Sequence, residues 1–145
     1  MYYLIKNLHS LLAYVVLLAL IIAVLYVLNA WLKNKKFDQT TKKIILSVLI
    51  ACHLQFVIGL IVYFISPLGF ANISKDTMGN SVGRLYMLEH PLMMLLAIVF
   101  ITMGYSKAKR ITDDKKKLKT VTIFYTIGLV LILSRIPWQA WLGVQ

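Results

Sequence analysis

Four long apolar runs constrain this chain more than any other feature. A membrane-crossing helix needs about 20 predominantly apolar residues. Residues 3–31, 44–65, 85–105 and 121–141 each meet that length, and the first contains an unbroken apolar core, Leu11–Leu28. Hydrophobic residues make up 60% of the chain and charged residues 14%, whereas soluble domains average roughly 45–50% and 25%. A soluble domain of this size has too little interior to hide so much apolar surface, whereas a bilayer covers it from outside. The expected fold is therefore one all-α domain, 1–145, with four transmembrane helices as an up-down-up-down bundle.

The connections carry stop signals. Lys33-Asn34-Lys35-Lys36 ends the first run, Ser66-Pro67-Leu68-Gly69 breaks the second, the polar stretch 72–83 reads as a loop, and Lys115-Lys116-Lys117 separates the last two. Proline cannot continue a helical hydrogen-bond ladder, and glycine-containing polar stretches punctuate helices. The net charge of +11 first suggests nucleic acid, but twelve of the sixteen Lys and Arg residues lie in the connections 33–43 and 107–119. That asymmetry is the mark of cytoplasmic loops, and attraction to anionic headgroups accounts for it without nucleic acid. Both chain ends and the 67–83 loop are then expected outside, with the protein in a bacterial cytoplasmic (inner) membrane. Trp138 and Trp141 at one interface and Trp31 at the other fit aromatic belts. The first run is too long for a cleavable signal peptide and no small-residue cleavage site follows it. The single cysteine, Cys52, excludes an intramolecular disulfide.

Ionisable residues inside spans are costly, so each is a candidate for function. They are His9, His53, Glu89, His90 and Arg135, with Gln55 as an uncharged companion. At about 1.5 Å of rise per residue, His90 and Arg135 share a depth roughly 7 Å outside the centre and His9 lies about 6 Å further out. The first and third helices are diagonal partners in an up-down bundle, so His9 and His90 can face each other. His9, Ala13, Val16, Leu20, Ala23 and Val27 share a stripe at helical period, as do Tyr86, His90, Met93, Ala97 and Gly104. Cys52, Gln55 and Gly59 form a third stripe, and His53 points about a third of a turn away from it.

A haem needs an apolar slot, axial ligands and partners for its propionates. Histidine is a common axial ligand, bundle cores commonly hold cofactors, and arginine pairs bidentately with carboxylates. On that reading His9 and His90 are the axial metal ligands of a haem b and Arg135 its propionate partner. Structural hydrogen bonding is the competing account of the histidines, favoured for His53, and a Glu89–Arg135 pair is the competing account of Arg135. Met87, Glu89, His90, Met93 and Met94 also permit a copper or small-ion carrier. No phosphate loop, hydrolytic triad or carboxylate pair is visible.

The scattered set Leu8-His9-Ser10, His53-Leu54-Gln55 with Gly59 and Tyr63-Phe64, Glu89-His90-Pro91, Met93-Met94, Gly104, Lys107-Ala108-Lys109-Arg110 and Ile136-Pro137-Trp138 spans nearly the whole chain. In these residues it resembles small four-span bacterial membrane proteins catalogued as cytochrome b-like. The resemblance implies a b-type haem with ligands drawn from His9, His53 and His90. With one histidine on each of three helices, a single haem is the most the chain can hold with two axial histidines. The expected role is electron transfer, exchanging electrons with quinone or a larger membrane redox complex, rather than stand-alone catalysis. A cofactor-free accessory subunit is the alternative.

Overall fold

The computed structural model describes residues 1–143, and within them the chain is helical throughout its ordered elements. α1 (Tyr2–Leu32) and α2 (Gln39–Ile65) are followed by a 3₁₀ turn, Phe70–Asn72, and two short helices, α3 (Lys75–Gly79) and α4 (Ser81–Arg84). A π turn, Leu85–Glu89, joins α4 to α5 (His90–Ala108), and α6 (Asp114–Ser134) and α7 (Trp138–Leu142) complete the chain. Four segments, Tyr2–Leu32, Gln39–Ile65, Ser81–Ala108 and Asp114–Ser134, are long and apolar enough to cross a membrane.

The helix ends follow from local chemistry. α1 closes with Asn34 in the left-handed region at φ 50°, while Asn34 N–H donates to the Trp31 carbonyl and Lys35 N–H to the Ala30 carbonyl. This paired arrangement satisfies carbonyls that a helix end otherwise leaves bare, and asparagine tolerates the conformation it requires. α2 begins at Asp38, whose carboxylate accepts from the Thr41 N–H at 2.8 Å and the Thr41 hydroxyl at 2.7 Å. α6 begins at Asp113, which accepts from the Lys116 N–H at 2.7 Å.

The fourth spanning helix therefore starts at Asp114 rather than near Val121 and stops at Ser134 rather than at Trp141. Lysines that read as loop in sequence occupy its first turns, where long aliphatic stems can lie along the helix with the charge in water. Pro137 prevents continuation at the other end, and Trp138 and Trp141 sit on the separate α7. α2 likewise extends back to Gln39, and the third span begins at Ser81.

The π turn also has an identifiable cause. Pro91 has no N–H, and in an unbroken α-helix its ring would strike the Met87 carbonyl. The chain widens by one residue instead, and His90 N–H donates to the Leu85 carbonyl.

α1 packs against α2 and α6, α2 against α5, and α5 against α6, closing a four-membered ring of helices. Leu20, Ala23, Val27, Ile45, Cys52, Ile101, Leu118, Val121 and Tyr125 form the buried core. The core lies toward the end that carries the basic connections. There Tyr125 is fully buried and its hydroxyl donates to the Ile45 carbonyl at 2.9 Å. α5 and α6 meet closely because Gly128 has no side chain: a Cβ there would lie 2.5 Å from Ile101 Cγ1. On the outer face of α1, Leu11, Val15, Leu18, Ile22 and Leu25 are all exposed, as a lipid-facing stripe requires.

Candidate functional site: a histidine-flanked cavity

Away from the core the helices separate around a cavity of about 410 Å³. Small-molecule sites commonly measure about 300–1,000 Å³. On α1 the lining runs from Tyr2 to Leu20, which spans roughly 27 Å of helix. The cavity is thus a slot along the bundle. α7 closes one side, with Trp141 packed on Tyr14 of α1 at 4.0 Å between ring centroids. Tyr2 and Ser66, in hydrogen-bond contact at 3.2 Å, tie α1 to the end of α2 beside it.

The α1 stripe expected from sequence is reproduced: His9, Ala13, Val16 and Leu20 line the slot, and Leu20, Ala23 and Val27 are buried. Cys52, Gln55 and Gly59 of α2 line it as well. The α5 stripe divides in two. Tyr86, His90, Met94 and Ile98 face the cavity, whereas Ala97, Ile101 and Gly104 are buried and the glycine meets Phe124 and Tyr125 of α6. Met93 and Met87 are not part of the lining, so the methionine cluster reduces to Met94 at the cavity wall.

His9 and His90 come together across the ring of helices, with centroids 6.4 Å apart and planes at 86°. Two imidazoles on opposite sides of one metal ion, with bonds of about 2.0 Å, have centres roughly 6.3 Å apart. The nitrogens of the two rings are held differently. His90 Nδ1–H donates to the Arg135 carbonyl at 2.8 Å. That carbonyl has no partner within α6 because the helix stops there. The bond leaves His90 Nε2 with its lone pair, the state in which a histidine ligates a metal.

His9 is set the other way. The Gln55 amide donates to the His9 carbonyl at 2.8 Å and to His9 Nδ1 at 3.0 Å. With Nδ1 accepting, neutral His9 carries its proton on Nε2. Turning the amide over would place its oxygen against the His9 carbonyl, so the donor orientation is the favourable one. Gln55 Oε1 is buried without a hydrogen-bond partner among the described residues. Gly59 makes room for the ring, since a Cβ at that position would lie 2.9 Å from His9 Cε1.

His53 and the Arg135 side chain do not line the cavity. His53 is in the α2–α5 seam, its Nδ1–H donating to the Leu49 carbonyl at 2.8 Å and its Nε2 facing the Thr102 hydroxyl at 3.3 Å. The Arg135 side chain pairs with Glu89, Nε to Oε2 at 3.1 Å, and Glu89 also receives Arg84 Nε at 2.8 Å. Arg135 thus serves the cavity through its backbone, which sequence alone could not reveal. The cation that does line the cavity is Lys6, three residues before His9 on the same side of α1. That spacing was visible in sequence, as a charge one turn away on the histidine stripe.

Among the described residues no three or more His, Cys, Asp or Glu side chains gather as a metal site. The arrangement is a largely apolar slot with two imidazoles in its lining. The chain therefore has the length, composition and interior of a multi-pass helical membrane protein with a ligand-sized cavity. No family model matches it, and no match is found among curated proteins or solved structures.

Proposed function

We propose that this protein is a small membrane cytochrome of the b type, holding one haem in the cavity between α1 and α5 with His9 and His90 as axial ligands. The single observation that carries this reading is the 6.4 Å separation of the two imidazoles across the slot. Haem would supply one-electron transfer, with quinone or a larger membrane redox complex as the exchange partner. The protein supplies the rest. Arg135 orients His90 through its carbonyl, Gly59 leaves room for His9, and α7 shields the slot from water. Lys6, in the lining, is the propionate partner in this reading, replacing Arg135.

The fit requires one adjustment. The Gln55 amide must leave His9 Nδ1 so that the proton can move there and free Nε2. That requirement is the observation favouring the second reading, a cofactor-free accessory subunit in which Gln55 and His9 simply join α1 to α2. The helices are taken as up-down-up-down in a bacterial cytoplasmic membrane, with the basic connections inside and both termini outside, because lysine-rich short loops stay on the cytoplasmic side.

A visible spectrum of the purified protein, oxidised and then dithionite-reduced, tests the reading. A sharpened α band and shifted Soret band on reduction support it, and His90→Ala is expected to remove both while the protein still inserts. A featureless spectrum from cells supplied with haem overturns it in favour of the accessory subunit.

A further inference from the structure

At the end of the bundle opposite the histidines lies a second, smaller cavity of about 290 Å³. Phe37, Asp38, Gln39, Lys42, Ile45, Tyr105, Ala108, Lys109 and Lys117 line it, so the connection after α1, the start of α2, the end of α5 and the start of α6 all contribute. Its chemistry is two-sided. Phe37, Ile45, Tyr105 and Ala108 give an apolar wall, while Lys42 of α2, Lys109 just after α5 and Lys117 of α6 bring cations from three places.

Among the described residues these cations have no ion-pair partner. The ion pairs among the described residues all fall on Glu89, at the other end of the bundle. Asp38, the one carboxylate in the wall, uses Oδ1 to accept both Thr41 hydrogen bonds. Two of the lysines are held over aromatic rings instead, Lys117 Nζ at 5.3 Å from the Phe37 centroid and Lys109 Nζ at 5.6 Å from that of Tyr105. Cation–π contact positions an ammonium without cancelling its charge. Three like charges around one hollow repel each other, and an anion entering it removes that cost.

We propose that this cavity is a binding site for the phosphodiester headgroup of an anionic phospholipid. Lys42, Lys109 and Lys117 would surround the phosphate, and the glycerol and upper acyl carbons would lie on Phe37 and Ile45. Asp38 Oδ2, which has no hydrogen-bond partner among the described residues, can accept from a headgroup hydroxyl. A basic hollow between membrane helices, at the level where headgroups lie, selects a lipid over a free anion because its apolar wall has something to bind. The site is independent of the proposed cofactor.

The test is native mass spectrometry of the full chain in neutral detergent, with phosphatidylglycerol or phosphatidylcholine added at equal concentration. One phosphatidylglycerol retained per chain, in strong preference to phosphatidylcholine, is expected. Each single change, Lys42→Gln, Lys109→Gln or Lys117→Gln, should weaken retention about fivefold. Lys35→Gln, Lys36→Gln or Lys115→Gln, each removing the same single charge outside the cavity, should leave it unchanged. Equal losses in the cavity and control variants would overturn the proposal in favour of a diffuse basic surface. Equal retention of phosphatidylcholine would remove the charge-specific element, and displacement of the lipid by millimolar inorganic phosphate would make this a free-anion site. Three separate single variants keep the test usable if one of them fails to fold.

Discussion

His9 and His90 look equivalent in sequence, yet different ring atoms are committed in each. His90 donates from Nδ1 to the Arg135 carbonyl, while His9 accepts at Nδ1 from Gln55. Replacing Gln55 with Leu is therefore expected to release His9 for ligation. On the proposed cytochrome reading, the variant should keep full haem occupancy with a shifted midpoint in a redox titration, and an unmoved midpoint would show that Gln55 has no hold on the ligand. Gly59→Val acts in the opposite sense by crowding the ring at His9 Cε1. Overpacking of this kind costs about 1–3 kcal/mol, so on the same reading reduced haem content at an otherwise folded protein is the expected result of pigment and protein assays. His53→Ala should leave the spectrum unchanged and lower the melting temperature, because His53 bonds only within the α2–α5 seam.

At the scale of elements, the π turn has a specific dependent. Arg84 and Glu89 are five residues apart, a spacing that brings side chains together on a π turn but sets them about 140° apart on an α-helix. Their 2.8 Å pair exists because Pro91 forces the widening. Pro91→Ala should restore ordinary α geometry and uncouple them. A double-mutant cycle on Arg84→Gln and Glu89→Gln would then show coupling in the native chain and none in the variant. The start of α2 carries a pH dependence. Hydrogen bonds from Thr41, its hydroxyl first and its N–H second, hold the Asp38 carboxyl below its ordinary value. A depressed carboxyl contributes stability that is fully present above the unfolded value and lost as pH falls through the folded one. Acid melting curves should therefore show a component below the ordinary carboxylate range that is absent from Asp38→Asn.

The same elements mark the limit of what sequence could say. Apolar length revealed the four spans, and helical period grouped His9 with its α1 stripe and Gln55 with Gly59 on α2, faces that the structure turns to the cavity. The α6 boundaries were hidden because charge masks helical periodicity at Lys115–Lys119. The split of the α5 stripe was hidden because it follows from how α6 packs, through Gly104 and Gly128, and that is a tertiary fact. The Arg135–Glu89 pair was one of the two accounts the sequence offered, whereas the bond from Arg135 to His90 was hidden because it is made by a carbonyl oxygen, which every residue has.

At the scale of the whole molecule, the bundle has its buried core toward its basic end and its larger hollow toward the other. Stability and ligand retention should therefore separate. Tyr125→Phe removes the hydroxyl's bond to the Ile45 carbonyl. The expected cost is about 1 kcal/mol, read as a lower melting temperature with the cavity and any absorption bands unaltered. Cysteine labelling at Lys35→Cys and Asn72→Cys in intact cells checks the orientation, with only the latter expected to react with an impermeant reagent.

The close contact of α5 and α6 at Gly128, together with the hollow above it, gives the bundle the mechanics of a clothes-peg. The packed end is the spring. α1, unbroken from Tyr2 to Leu32, is a stiff arm, whereas the third span widens at 85–89 and α6 ends at Ser134 before α7 turns back. A wedge driven between the jaws is then expected to bend the bundle at those two interruptions before it loosens the packed end.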